Sequence, residues 1–195
     1  PLQGVPLPAS VGTKIRYTGY LKRSIFETDR PLLAVNPFAG QPYVLVTTGG
    51  GGDGAEVIDW VLRAYEHGLD IPYPALLVLG PFMRSTAQAA FRERVARLER
   101  VEAITFDANV ETLMADAAGI VAMGGYNTFC EILSFDKRAL IVPRSVPRME
   151  QCIRAARAEA LGLVRTLAID GDCNPARMAA AIAALPSQPR PSEVR

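Results

Sequence analysis

From Lys14 onward, short runs of β-forming residues alternate with longer amphipathic stretches. The runs are IRYTGYL, YVLVTTGG, ALLVLG, VEAITF, GIVAMGG, ALIVPR and LVRTL. Helical patterns follow near 55–68, 85–98, 109–115, 127–135, 149–161 and 175–185. Strand after helix after strand predicts βαβ units and a parallel sheet. Runs such as YVLV, ALLVLG and ALIV are apolar at every position, as strands covered by helices on both faces must be. The expected fold is therefore α/β, a Rossmann-like doubly wound parallel sheet. The 195 residues suffice for one such domain with a sizeable core.

Boundaries follow from composition. Residues 1–13 (PLQGVPLPASVGT) carry three prolines and read as an extended linker. The domain is expected over 14–186. The Pro-rich, polar stretch 187–195 reads as a flexible tail. Pro1, which is not an initiator methionine, suggests a piece of something longer. Hydrophobic residues make up 49% and charged residues 21%, so the chain is a packed globular one. With 21 Lys plus Arg against 20 Asp plus Glu, no strong field favours nucleic acid. Cys130, Cys152 and Cys173 form no CxxC pair and there is a single histidine, His67. That speaks against a zinc site and for a reducing, cytoplasmic setting. No run approaches the ~18–20 apolar residues of a membrane span.

A doubly wound sheet binds its ligand outside the carboxyl ends of the strands, so the informative residues should follow strands. After the second run come Gly49, Gly50, Gly51, Gly52, Asp53 and Gly54, then a helix. Such a loop lets backbone approach a ligand and presents amides at a helix N-terminus, where an anion such as phosphate is favoured. Neither a Walker motif nor a dinucleotide fingerprint is complete, because no Lys-Ser/Thr follows and Leu79-Gly80-Pro81 stands where an acidic residue is expected. Asp53 reads as the helix N-cap.

A second cradle follows GIVAM, where Gly124, Gly125, Tyr126, Asn127 and Thr128 lead into a helix bearing Glu131. Asn127 or Thr128 can cap that helix, and Glu131, one turn on, can reach a vicinal diol such as a ribose. The plainer alternative is a capped helix whose Glu131 complements the dipole.

The string GGYNTFCE resembles the helix start of UDP-sugar glycosyltransferases of GT-B architecture. Many of these read His-Cys-Gly-Trp-Asn-Ser with a Glu three residues later. The resemblance implies that Gly125, Asn127 and Thr128 meet the diphosphate and that Glu131 binds the ribose hydroxyls. Met123 and Gly124 stand where the His-Cys pair would be. FDANVETL is similar to the family's aromatic-x-Pro-Gln stretch, which puts Phe106 where a ring stacks on uracil and Asn109 where a Gln is usual; Ala108 replaces the Pro. Glu150-Gln151, after ALIVPRSVPRM, is similar to the acidic-Gln pair that grips the sugar. The match covers about 14–165 in family order and looks most like glycosyltransferase family 28, which includes the N-acetylglucosaminyltransferase of peptidoglycan synthesis.

The resemblance implies a C-terminal donor-binding domain. A UDP-sugar is its substrate, with no further cofactor and no metal. The acceptor, the general base and any membrane contact then belong to an N-terminal domain outside this chain. On that reading the fragment binds nucleotide without transferring a hexosyl group (N-acetylglucosaminyl or glucosyl) by itself. The alternatives are a noncatalytic or split-transferase module, a UDP-sugar epimerase, which the shortage of His disfavours, and a dehydrogenase. His67 reads as a helix C-terminal residue, the cysteines as small core residues or bystanders, Glu93–Arg97 as an i,i+4 pair, and Arg84, Arg144 and Arg148 as solvated cations, with the alternatives that Arg144 and Arg148 steer a diphosphate and that Arg84 points into the cleft.

Overall fold

The computed structural model describes residues 8–16, 19–24, 36–38, 40–50, 52–107, 110–169, 171 and 173–194. Six strands form one all-parallel sheet in the order β3-β2-β1-β4-β5-β6. They are β1 (Val44–Thr47), β2 (Ala75–Val78), β3 (Val101–Ile104), β4 (Gly119–Ala122), β5 (Ala139–Ile141) and β6 (Arg165–Thr166). A single helical turn, α1 (Ala9–Gly12), precedes the sheet. Six helices alternate with or follow the strands: α2 (Ala55–Glu66), α3 (Ser85–Val95), α4 (Val110–Asp116), α5 (Tyr126–Ser134), α6 (Glu150–Ala160) and α7 (Pro175–Ala183). The expected doubly wound fold is the one observed.

Alternation of side chains along each strand divides the core in two. Val44, Val46, Leu77, Val121 and Leu140 point into a cluster with Val57, Trp60 and Val61 of α2 and Met178 and Ile182 of α7. Leu45, Leu76, Ile120, Ala122 and Ile141 point the other way, onto Leu113 and Met114 of α4, Phe129 and Ile132 of α5, and Ala155 and Ala158 of α6. This is why the central strands are apolar throughout. Each such fully buried Val, Leu or Ile contributes about 1.5–3 kcal/mol. Trp60 is wholly buried, and its indole Nε1 donates to the Asn174 carbonyl at 2.8 Å, which ties α2 to the cap of α7.

Three expectations are corrected. None of the described residues of IRYTGYL lies in a strand, so the glycine loop follows the first strand of the sheet. Tyr20 instead packs against Tyr126 and Phe129, with ring centroids 5.9 and 5.0 Å away, and the Arg23 amide donates to Ser134 Oγ at 2.8 Å. Strand-like composition here marks a segment that fits a half-buried surface, the outside of α5, rather than a sheet edge. The expected linker is not wholly extended, because α1 lies within it. The segment expected as a free tail is docked: Arg138 Nε donates to the Gln188 carbonyl at 2.6 Å, and Ser192 donates through N and Oγ to both Asp136 oxygens at 2.8 Å.

Candidate functional site

Chain direction splits between β1 and β4, which are neighbours in the sheet although β2 and β3 come between them in sequence. Loops leaving these two strands diverge to opposite faces and leave a crevice at their carboxyl ends. A cleft of about 260 Å³ occupies it. One wall is Thr47, Thr48, Gly49, Gly50 and Asp53; the other is Met123 to Thr128; Arg144 and Gln151 close the third side.

Neither helix that opens onto the cleft has a side-chain cap. The N-cap of α2 is Gly54 and that of α5 is Gly125, so the first-turn amides remain available to a ligand. This corrects two expectations. Asn127 and Thr128 are inside α5 rather than capping it, because the helix begins one residue earlier, at Tyr126. Asp53 does not cap α2; its carboxylate pairs with the Arg144 guanidinium. A full guanidinium charge outcompetes backbone amides for the carboxylate.

At Gly124 both the backbone and the surrounding space call for glycine. Its φ is +76°, and a Cβ there would sit 2.8 Å from Ile141 Cγ2. Arg154 Nη1 donates to its carbonyl at 2.7 Å and the guanidinium lies 5.8 Å from the Tyr126 ring centroid, so the turn is held from α6. Gly125, by contrast, faces open space.

Of the residues singled out from sequence, Gly49, Gly50, Gly124, Gly125, Asn127, Thr128 and Gln151 are brought together around one cleft. Gly51 and Asn109 lie outside the described residues. Phe106 follows β3 at the same end of the sheet, 51% exposed, and does not line the cleft. Glu131 stands one turn beyond the lining, half-buried on α5. Glu150 is exposed, 3.8 Å from Arg144 Nη2, whereas Gln151 is buried and accepts from the Arg144 amide at 3.2 Å. His67 is the C-cap just after α2, at the helix end where it was expected, with Nδ1 2.7 Å from the Arg63 carbonyl.

Local sequence gives little weight to Arg144 and none to Arg23 or Arg154, yet all three reach the site. Among the described lining residues, Arg144 and Asp53 are the only charged ones. Arg23 Nη2 donates to Asn127 Oδ1 at 2.7 Å, although the two are 104 positions apart. No local pattern marks such a long-range contact. The described residues contain no group of three or more His, Cys, Asp or Glu placed to share a metal, and no helix long and apolar enough to cross a membrane.

Burial first, and then the Glu111 carboxylate, push the pKa of Glu131 upward, while Arg23 pulls it down. The folded protein therefore holds this proton more tightly than the unfolded chain. The stabilising contribution is complete below the ordinary carboxyl value and is lost as pH rises through the raised one. Glu131→Gln is expected to remove that loss: thermal melts between about pH 4 and 7 should show wild type declining relative to the variant as pH rises. A constant difference across that range contradicts the assignment.

Residues 44–189 match the family described as the glycosyltransferase family 28 C-terminal domain. Among solved structures, the fold is similar to glycosyltransferase VinC in complex with dTDP, with 20% identity and TM-score 0.57 over 76% of this chain and 34% of that one. It is similar to the glycotransferase of kitacinnamycin, with 19% identity and TM-score 0.62 over 87% of this chain and 40% of that one. MurG of Acinetobacter baumannii matches with 16% identity and TM-score 0.54 over 80% of this chain and 48% of that one. The chain thus spans between 34% and 48% of the length of these structures. Among curated protein sequences, none matches.

Proposed function

The chain belongs to the glycosyltransferase family 28 C-terminal domain family, and from that premise we propose that it is the half of a GT-B hexosyltransferase that binds the nucleotide sugar. The observation that carries this is the cleft between β1 and β4, where two helices without side-chain caps and the Arg144 guanidinium converge. Dipole and amides at those helix ends suit a diphosphate. The donor-binding domain spans 14–186 in this reading, with 19–24 packed on α5.

In the proposed complex the diphosphate lies between Gly49-Gly50 and Gly125 to Thr128, with Arg144 as its counter-cation. Glu131 accepts from the ribose hydroxyls, Phe106 flanks uracil, and Glu150-Gln151 meet the sugar. Charge develops on the diphosphate as the sugar–phosphate bond breaks. Preorganised amides and a fixed cation lower that barrier without having to reorganise. The UDP-sugar, carrying N-acetylglucosamine or glucose, is substrate rather than cofactor. The acceptor and the general base belong to a further domain, so this chain binds donor without turning it over.

Titration with UDP, UDP-N-acetylglucosamine, UDP-glucose, dTDP and NAD tests this reading by melting shift. A ligand that binds only the folded state at 100 times its Kd adds about 2.7 kcal/mol. UDP and its sugars should raise the melting temperature, NAD should not, and Glu131→Ala should weaken the response. No shift with any uridine nucleotide would sink the proposal.

A further inference from the structure

Helix α6 is apolar on two sides. Ala155 and Ala158 seat it on the sheet, in the cluster that includes Phe129 and Ile132 of α5. On its outer side Met149 at the N-cap and then Ile153, Ala156 and Ala160 are all exposed, at the i, i+4, i+7, i+11 spacing of one helix face. Val146, just before the helix, and Leu161, just after it, extend the exposed apolar surface at its two ends; Val146 is 77% and Ile153 67% exposed. Single exposed apolar side chains are ordinary, but a stripe along a whole helix is the pattern of one packed on both sides.

Charge borders the stripe on one flank. Glu150 in the first turn and Arg157 in the last are exposed and about two turns apart, so they project on the same side of it. Arg157 has no ion-pair partner among the described residues, and Glu150 has only Arg144 Nη2, at 3.8 Å. Glu150 and Arg157 lie equally far along the chain from the point between Ile153 and Arg154, and so do Val146 and Leu161. This makes the face its own complement. Two α6 helices laid antiparallel about a two-fold axis at that point set Glu150 of each against the partner's Arg157 and Val146 against the partner's Leu161. A parallel pair would instead oppose like charges at both ends. Ala156 and Ala160 leave room for the second helix to approach closely.

We infer that the outer face of α6 is a self-association surface, on which two copies of this chain pair through antiparallel α6 helices centred on Ile153 and held in register by two Glu150–Arg157 pairs. The inference stands apart from the nucleotide-sugar reading. A carboxylate accepts on two oxygens, so Glu150 keeps one for the cleft. One helix pair buries less than the ~1,600 Å² of a standard interface, and the dimer is therefore a weak one, with a Kd on the order of 100 µM.

Sedimentation velocity of the 195-residue chain tests this. Wild type should pass from monomer towards dimer between about 5 and 500 µM. Ile153→Glu changes an exposed position, so the chain should fold, and it should stay monomeric throughout because the new carboxylate would be buried at the two-fold axis. Arg157→Glu opposes like charges twice over and should weaken the dimer at least about tenfold. Glu150→Arg/Arg157→Glu inverts both pairs and should bring the dissociation constant back to within about threefold of wild type. Thermal melts accompany each variant, because the reversed charges oppose the α6 dipole. Wild type that is still monomeric at about 500 µM overturns the inference and leaves the stripe to a partner of another kind. A dimer that survives Ile153→Glu, or a swap that does not recover what Arg157→Glu loses, overturns the antiparallel pairing.

Discussion

Replacing Gly54 with alanine is expected to lower stability by about 3 kcal/mol, the upper part of the range for overpacking a tight site. For a chain of this size that is a fall in Tm of roughly 6–12 °C. The new methyl carbon would lie 2.2 Å from Thr48 Cβ and 2.4 Å from its Cγ2, far inside any tolerable contact. Thr48 is buried and its hydroxyl donates to the Leu79 carbonyl at 3.2 Å, so its side chain is tied to the end of β2 and cannot simply swing out. Either β1 or the start of α2 must move, and both carry the cleft wall. Nucleotide binding should therefore fall together with stability. The double variant Gly54→Ala/Thr48→Gly removes the colliding atoms and should recover a large part of the loss. A thermal melt of Gly54→Ala superimposable on wild type would show that the loop does not pack as described.

The second large effect is expected at Arg144. Arg144→Ala should weaken UDP binding between about tenfold and a hundredfold, which corresponds to the ~1.5–3 kcal/mol of a hydrogen bond to a charged group. Uridine, which lacks the diphosphate, should bind both proteins alike. Salt dependence should also flatten, because one cation less meets the phosphates. The fold should tolerate the change: the Arg144 side chain is 29% exposed, and Asp53, freed of its partner, is 48% exposed and can be hydrated. An unchanged UDP affinity would mean that Asp53 keeps Arg144 when nucleotide is bound. In that case the two helix ends alone would have to carry the anion.

Strand–helix alternation and uninterrupted apolar runs leave few architectures open, and this makes the fold legible in the amino-acid sequence. Helix limits read from sequence fall within a few residues of those observed, as at α5, expected near 127–135 and found at Tyr126–Ser134. Motifs that are contiguous along the chain are legible in the same way. Gly49-Gly50 and Gly124 to Thr128 each sit on one loop leaving one strand, and the switch-point rule alone brings those loops together.

Partner choice between distant residues is not written locally. Asp53 reads as a helix cap because capping is a local competition for amides; that Arg144 takes its carboxylate instead depends on β1 and β5 ending on the same side of the cleft. The strand-like run at 15–21 and the Pro-rich stretch at 187–194 mislead for the same reason. Tyr20 lies on Phe129, and Ser192 is bound to Asp136. Local composition sets which conformations are cheap, and periodicity sets which face must be buried. The tertiary structure alone decides which charged side chain meets which, because ion pairs and docked segments draw their energy from groups that only the folded sheet brings within reach.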